Sequence, residues 1–170
     1  AMERRNIALA TQSDVARLLD ANMAEAVELS DQLRESPLAR QQATQVLDNE
    51  DEPRRRRVRA SLIVAEHDSD AAHLLAQFAC DGPVDDVTDL ATRAGELFPS
   101  LADKAAATWR DQSAPRGTLI RAACMVANDP RHVESLRGDA QAEQVVRLVV
   151  AENPVWINRY SKAFRPISRE

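Results

Sequence analysis

A chain of 170 residues with only 4 Gly and 4% aromatic residues is long enough to bury a core and is poor in strand formers. Its net charge of −5 gives no overall attraction to nucleic acid or to an anionic membrane. No apolar run approaches the roughly 20 residues that span a bilayer, and no signal-peptide pattern is present. Composition therefore predicts an all-α protein without a membrane span.

The chain is expected to form one domain. Ala1 before Met2 is typical of a scar left by tag cleavage, so we assign residues 1–2 to a tag and residues 3–170 to a single helical-repeat domain. We expect this domain to be part of a larger protein. Cys80 and Cys124 lack metal-ligand spacing, which indicates free thiols in a reducing, cytoplasmic compartment.

Proline marks the starts of the predicted helices, because it suits the first turn, where its missing N–H would have no partner. Apolar stripes at helical spacing fill the segments between these marks. In chain order the predicted helices lie at about 14–20 and 24–35, after Pro37, after Pro53, from Ser69, at about 84–98, 101–109 and 119–127, in a short element at about 130–138, at about 139–152, and after Pro154.

Residues 37–67 return recognisably at 99–129, 62 positions later. Pro53 matches Pro115, and Arg59 matches Arg121. We therefore divide the chain into helical units at about 13–68 and 69–129, with a partial unit at 130–170. A single helical hairpin cannot bury its apolar face alone, so the repeat predicts stacked hairpins with a continuous core.

The recurring helix carries a family resemblance. Its two copies read Pro-Arg-Arg-Arg-Arg-Val-Arg-Ala-Ser-Leu from residue 53 and Pro-Arg-Gly-Thr-Leu-Ile-Arg-Ala-Ala-Cys from residue 115. A β-branched residue followed by arginine and small residues resembles the second helix of HEAT repeats. The resemblance implies a right-handed α-α superhelix of the HEAT/armadillo class, in which such an arginine supports packing between repeats.

A second resemblance is carried by segments 53–67, 115–130 and 151–154. The pattern is similar to helical-repeat regions that accompany protein-kinase or formylglycine-generating-enzyme-like domains in planctomycete bacteria. The chain itself contains neither a kinase nor a formylglycine-enzyme motif. What this resemblance implies is an accessory region of a larger bacterial protein.

The sharpest charge feature is the run Arg54, Arg55, Arg56 and Arg57. Such a run could bind phosphate or an acidic protein partner. It could equally be a solvated first turn, offset by the three acidic residues just upstream. The second copy keeps only Arg116 of the four, so the run is not a stripe shared by all repeats.

Arg59 and Arg121 recur within otherwise apolar helices. A buried arginine needs a partner. We therefore expect each to form a structural salt bridge with a carboxylate of a neighbouring helix. On this interpretation Pro53, Arg59, Pro115 and Arg121 are residues of the architecture.

The last predicted helix places Trp156, Tyr160 and Phe164 on one face. An aromatic face at this spacing is usually core, but Trp156 and Tyr160 could also line a docking groove for a partner helix. An exposed aromatic face at the C-terminal helix would also suit a homodimer.

No residue pattern indicates an enzyme. His67, His73 and His132 are scattered, without the helical spacing of metal ligands or the partners of a catalytic triad. We therefore expect no catalytic residue, metal or cofactor. The sequence favours a non-catalytic scaffold or protein-interaction module, with a nucleic-acid-binding solenoid as the alternative and a hydrolase as a third, less supported class.

Overall fold

A computed structural model of the chain describes residues 2–111 and 113–168, and the side chains of residues 2–5 and 94 lie outside that description. Ala1, the first residue of the predicted tag scar, lies outside it as well. Within the described ranges every regular element is helical and none is a strand. The all-α prediction is therefore confirmed.

The helices follow the predicted order along the chain. The α-helices of the described residues are α1 (Met2–Asp20), α2 (Met23–Leu33), α3 (Pro37–Asp48), α4 (Arg54–Val64), α5 (Ser69–Asp81), α6 (Val84–Leu97), α7 (Pro99–Arg110), α8 (Arg116–Ala127), α9 (Asp139–Ala151) and α10 (Ile157–Ala163). Short 3-10 helices lie at Val133–Leu136, Pro154–Trp156 and Arg165–Ile167.

The prolines that recur in the two copies of the sequence lie at equivalent helix starts. Pro37 and Pro99 each occupy the first turn of a helix, α3 and α7. Pro53 precedes α4 with φ −54° and ψ 137°, and Pro115 precedes α8 with φ −56° and ψ 144°. The matched backbone angles show that the repeated prolines end the preceding loop in the same conformation in both copies.

Two compact units divide the chain, Ala1–Leu75 and Ala76–Glu170, and the division falls inside α5. In the first unit α1 packs against α2, α3 and α4, and α4 also contacts α2 and α3. Every residue of α4 from Val58 to Val64 is buried. A helix that is apolar over most of its circumference is covered on several sides, as its sequence predicts.

In the second unit α8 is the central helix, because α6, α7, α9 and α10 all contact it. Gly95 allows α6 to approach the end of α8 closely. A Cβ atom at Gly95 would lie 2.9 Å from the Cα of Asp129 and 3.1 Å from the main-chain oxygen of Asn128. A larger residue at this position would push the two segments apart.

Two helices differ from their predicted extents. α1 begins at Met2 and not near residue 14, although Ile7 and Leu9 are 61% and 56% exposed. None of the side chains of residues 6–14 is buried, so helix propensity and not periodicity extends the helix over them. The last predicted helix is divided into a 3-10 turn, the short α10 and a second 3-10 turn that contains Pro166.

Candidate functional site

The repeated arginine of the first unit binds the end of another helix. Arg59 lies on α4 and is fully buried. Its Nε donates to the main-chain oxygen of Ala21 at 2.9 Å, and its Nη1 donates to the main-chain oxygen of Arg55 at 3.3 Å. Ala21 directly follows α1, where carbonyl groups lack helical partners and carry partial negative charge.

Arg121 repeats this arrangement in the second unit. Its Nε donates to the main-chain oxygen of Gly82 at 2.9 Å, and its Nη1 donates to that of Gly117 at 2.7 Å. Gly82 directly follows α5, as Ala21 follows α1. What the two guanidinium groups share is therefore a pair of main-chain acceptors. The expected salt bridges with carboxylates, and the role of both arginines in a repeat architecture, stay predictions.

The arginine run at the start of α4 is partly engaged within the protein. Arg55 is exposed, and its Nη2 donates to the main-chain oxygen of Ala21 at 3.2 Å. Arg56 donates from Nη1 to Glu52 at 3.0 Å, and its Nε lies 3.4 Å from Oδ1 of Asp20. Arg54 is exposed and Arg57 is half-buried. The run is thus a mixed-charge surface, on which Arg54 and Arg55 are the accessible members.

A buried carboxylate lies just after α8. Asp129 is fully buried and accepts from Nη2 of Arg131 at 2.7 Å and from its Nε at 3.2 Å. Burial by itself raises the pKa of Asp129, but the hydrogen bonds and charge of Arg131 outweigh it, so that this pKa lies below its ordinary value. Asp103 of α7 extends the network to Arg131 at 3.1 Å and to Nε2 of His132 at 2.8 Å.

This network is suited to holding the end of α8 against α7, and not to acid–base chemistry. A carboxyl group with a lowered pKa remains ionised near neutral pH and is a poor proton donor. The charge of Arg131 is already paired with Asp129 and Asp103. Over residues 2–111 and 113–168, no group of three or more His, Cys, Asp or Glu is arranged to hold a metal ion.

An open apolar groove lies between α9 and the last turns of the chain. Its volume is about 490 Å³. Valine side chains of α9 form one wall, and Phe164 and Ile167 form the other. Val146 and Val150 on this wall are 59% and 71% exposed. A groove with an apolar wall and large exposed aliphatic side chains is the kind of surface into which an amphipathic helix packs.

Polar contacts hold the second wall of the groove in place. Nδ2 of Asn128 donates to the main-chain oxygen of Ala163 at 2.8 Å, which joins the end of α8 to the end of α10. Nε of Arg159 on α10 lies 2.6 Å from Oδ1 of Asp85 on α6. These contacts join α10 to α6 and to the end of α8, beside the groove.

The predicted aromatic docking face is corrected at Tyr160. This side chain is fully buried, and burial raises its pKa to about 12. Tyr160 therefore belongs to the core and not to an accessible face. Trp156 is half-buried, and Phe164 is 7% exposed at the groove. The sequence predicted an aromatic docking face, whereas the exposed apolar side chains of the groove are valines of α9.

Comparison of the chain with protein-family models, with curated proteins and with solved structures finds no significant match. The HEAT-like resemblance of residues 53–62 and 115–124 therefore stays a prediction. Among the described residues no helix is both long and apolar enough to cross a membrane. The groove and the repeated arginines are consequently the features from which a function can be argued.

Proposed function

We propose that this chain is a non-catalytic protein-interaction module and that the groove between α9 and α10 is its binding surface. The observation that carries the proposal is the exposure of Val146 and Val150 on one wall of an apolar groove. Aliphatic side chains at a fixed surface stabilise a complex by leaving water when a partner covers them.

The rim of the groove supports recognition of a polypeptide. Arg137, Asp139, Ser161 and Ser168 surround the apolar walls. Arg137 donates to the main-chain oxygen of Pro166 at 3.3 Å and pairs with Glu134. An apolar centre bordered by charged and hydroxyl groups is the common anatomy of a protein interface.

The wider setting of the module is also a proposal. The repeated prolines and arginines support stacked hairpins of a HEAT/armadillo-like α-α superhelix within a single repeat domain. The free thiols of Cys80 and Cys124 support a reducing, cytoplasmic location. The resemblance of segments 53–67, 115–130 and 151–154 supports an accessory role beside a kinase or formylglycine-enzyme-like domain of a bacterial protein.

Nucleic-acid binding is the second candidate, because Arg54 and Arg55 are exposed at one helix start. It has less support, since Arg56 is paired with Glu52 and Asp20 and the chain carries a net charge of −5. A phosphate-binding face needs unpaired cations over several phosphate spacings. A homodimer through the C-terminal helix is the third arrangement to be tested.

A heteronuclear NMR titration tests the proposed function. The probe is an amphipathic helix of Leu, Ala, Glu and Lys, about four turns long and without arginine. It should shift amide resonances that line the groove, and the Val146→Asp/Val150→Asp double variant should lose this response. The Ile7→Asp/Leu9→Asp variant is the matched control, since those side chains are similarly exposed on α1.

Each other outcome of the titration contradicts part of the proposal. If the probe shifts no groove resonance, this surface does not bind helices and the proposed function is wrong. If a short DNA duplex instead shifts the amides of Arg54 and Arg55, the nucleic-acid function replaces it. Sedimentation that shows a dimer dispersed by Val146→Asp/Val150→Asp would assign the groove to a second copy.

A further inference from the structure

We draw no further inference here: the strongest candidate, the open apolar groove between α9 and the last turns of the chain, carries none beyond the proposed function, because nothing in the structure shows what covers it.

Discussion

Helices α1 and α9 each carry valine side chains, yet Val15 of α1 belongs to the core and Val146 of α9 lies on the surface. Val15 is buried beneath α3, while Val146 lines an open groove. The difference teaches that the burial of a side chain is decided by the helix that packs against it, and not by the helix that carries it. An apolar face on which no helix packs is consequently a candidate docking surface.

The largest expected effect comes from a charge placed beneath α3. Val15→Asp should lower the free energy of unfolding by about 3–5 kcal/mol, because it buries an unpaired carboxylate. Urea denaturation followed by circular dichroism measures this change. The matched variant is Val146→Asp, which should change stability by no more than about 0.5 kcal/mol, since its side chain is open to water.

Equal losses of unfolding free energy in Val15→Asp and Val146→Asp would show that the two valine side chains are equally buried. The groove would then be part of a closed core in solution, and the proposed docking site would not exist. Equal tolerance of both substitutions would show that α3 does not cover α1.

The next effect concerns Arg59 and Arg121, which bind the main-chain oxygens that follow α1 and α5. Arg59→Met should cost about 2–3 kcal/mol, because it removes the donor to the carbonyl of Ala21 within a fully buried site. Arg121→Met should cost about 1–2 kcal/mol, since Arg121 is only half-buried and water can replace part of its contact. Urea denaturation again measures both.

Lysine variants sharpen the interpretation. Arg59→Lys should keep more of the unfolding free energy than Arg59→Met does, but it should recover less than half of the difference. An ammonium group cannot reach two carbonyl groups in the directed geometry of a guanidinium. Full recovery by lysine would mean that the positive charge, and not the pair of main-chain bonds, stabilises the repeat.

A smaller effect is expected at the carboxylate that follows α8. Asp129→Asn should cost about 1–2 kcal/mol at neutral pH, because it weakens the hydrogen bonds from Arg131. The pKa of Asp129 is lowered in the folded state, so its stabilisation is complete above the ordinary carboxyl pKa of about 4 and is lost as pH falls through the lower folded value.

Urea denaturation at neutral and acidic pH tests the direction in which the stabilisation by Asp129 changes with pH. The stability difference between the wild type and Asp129→Asn should narrow as the pH falls below about 4. A difference that widens with acidification would mean that Asp129 is not held in its ionised form by Arg131.

Most helices were predictable because their signals are local. Each of the four repeated prolines lies at or directly before the start of a helix, as Pro37, Pro53, Pro99 and Pro115 show. The start of α1 was missed because none of the side chains of residues 6–14 is buried, so no apolar stripe marks this part of the helix. The break before α10 was missed because the 3-10 turn after Asn153 has no distinct apolar period.

The site was less predictable because its signals are tertiary. A buried arginine in a sequence indicates that a partner exists, but not that the partner is a helix-end carbonyl on another element. Tyr160 and Val146 lie in equally apolar segments, and packing alone places the first in the core and the second on the surface.

The most direct test of the docking site is the reactivity of a single thiol at Val150→Cys, with Leu19→Cys as its matched control. Cys124 is buried and Cys80 is half-buried, and burial raises the pKa of both thiols, so neither competes strongly for the reagent. Val150→Cys should react rapidly and be protected by the amphipathic helix of Leu, Ala, Glu and Lys, whereas Leu19→Cys should be protected without it. A slow Val150→Cys thiol, or a fast one that the bound helix leaves exposed, would contradict the docking site on α9.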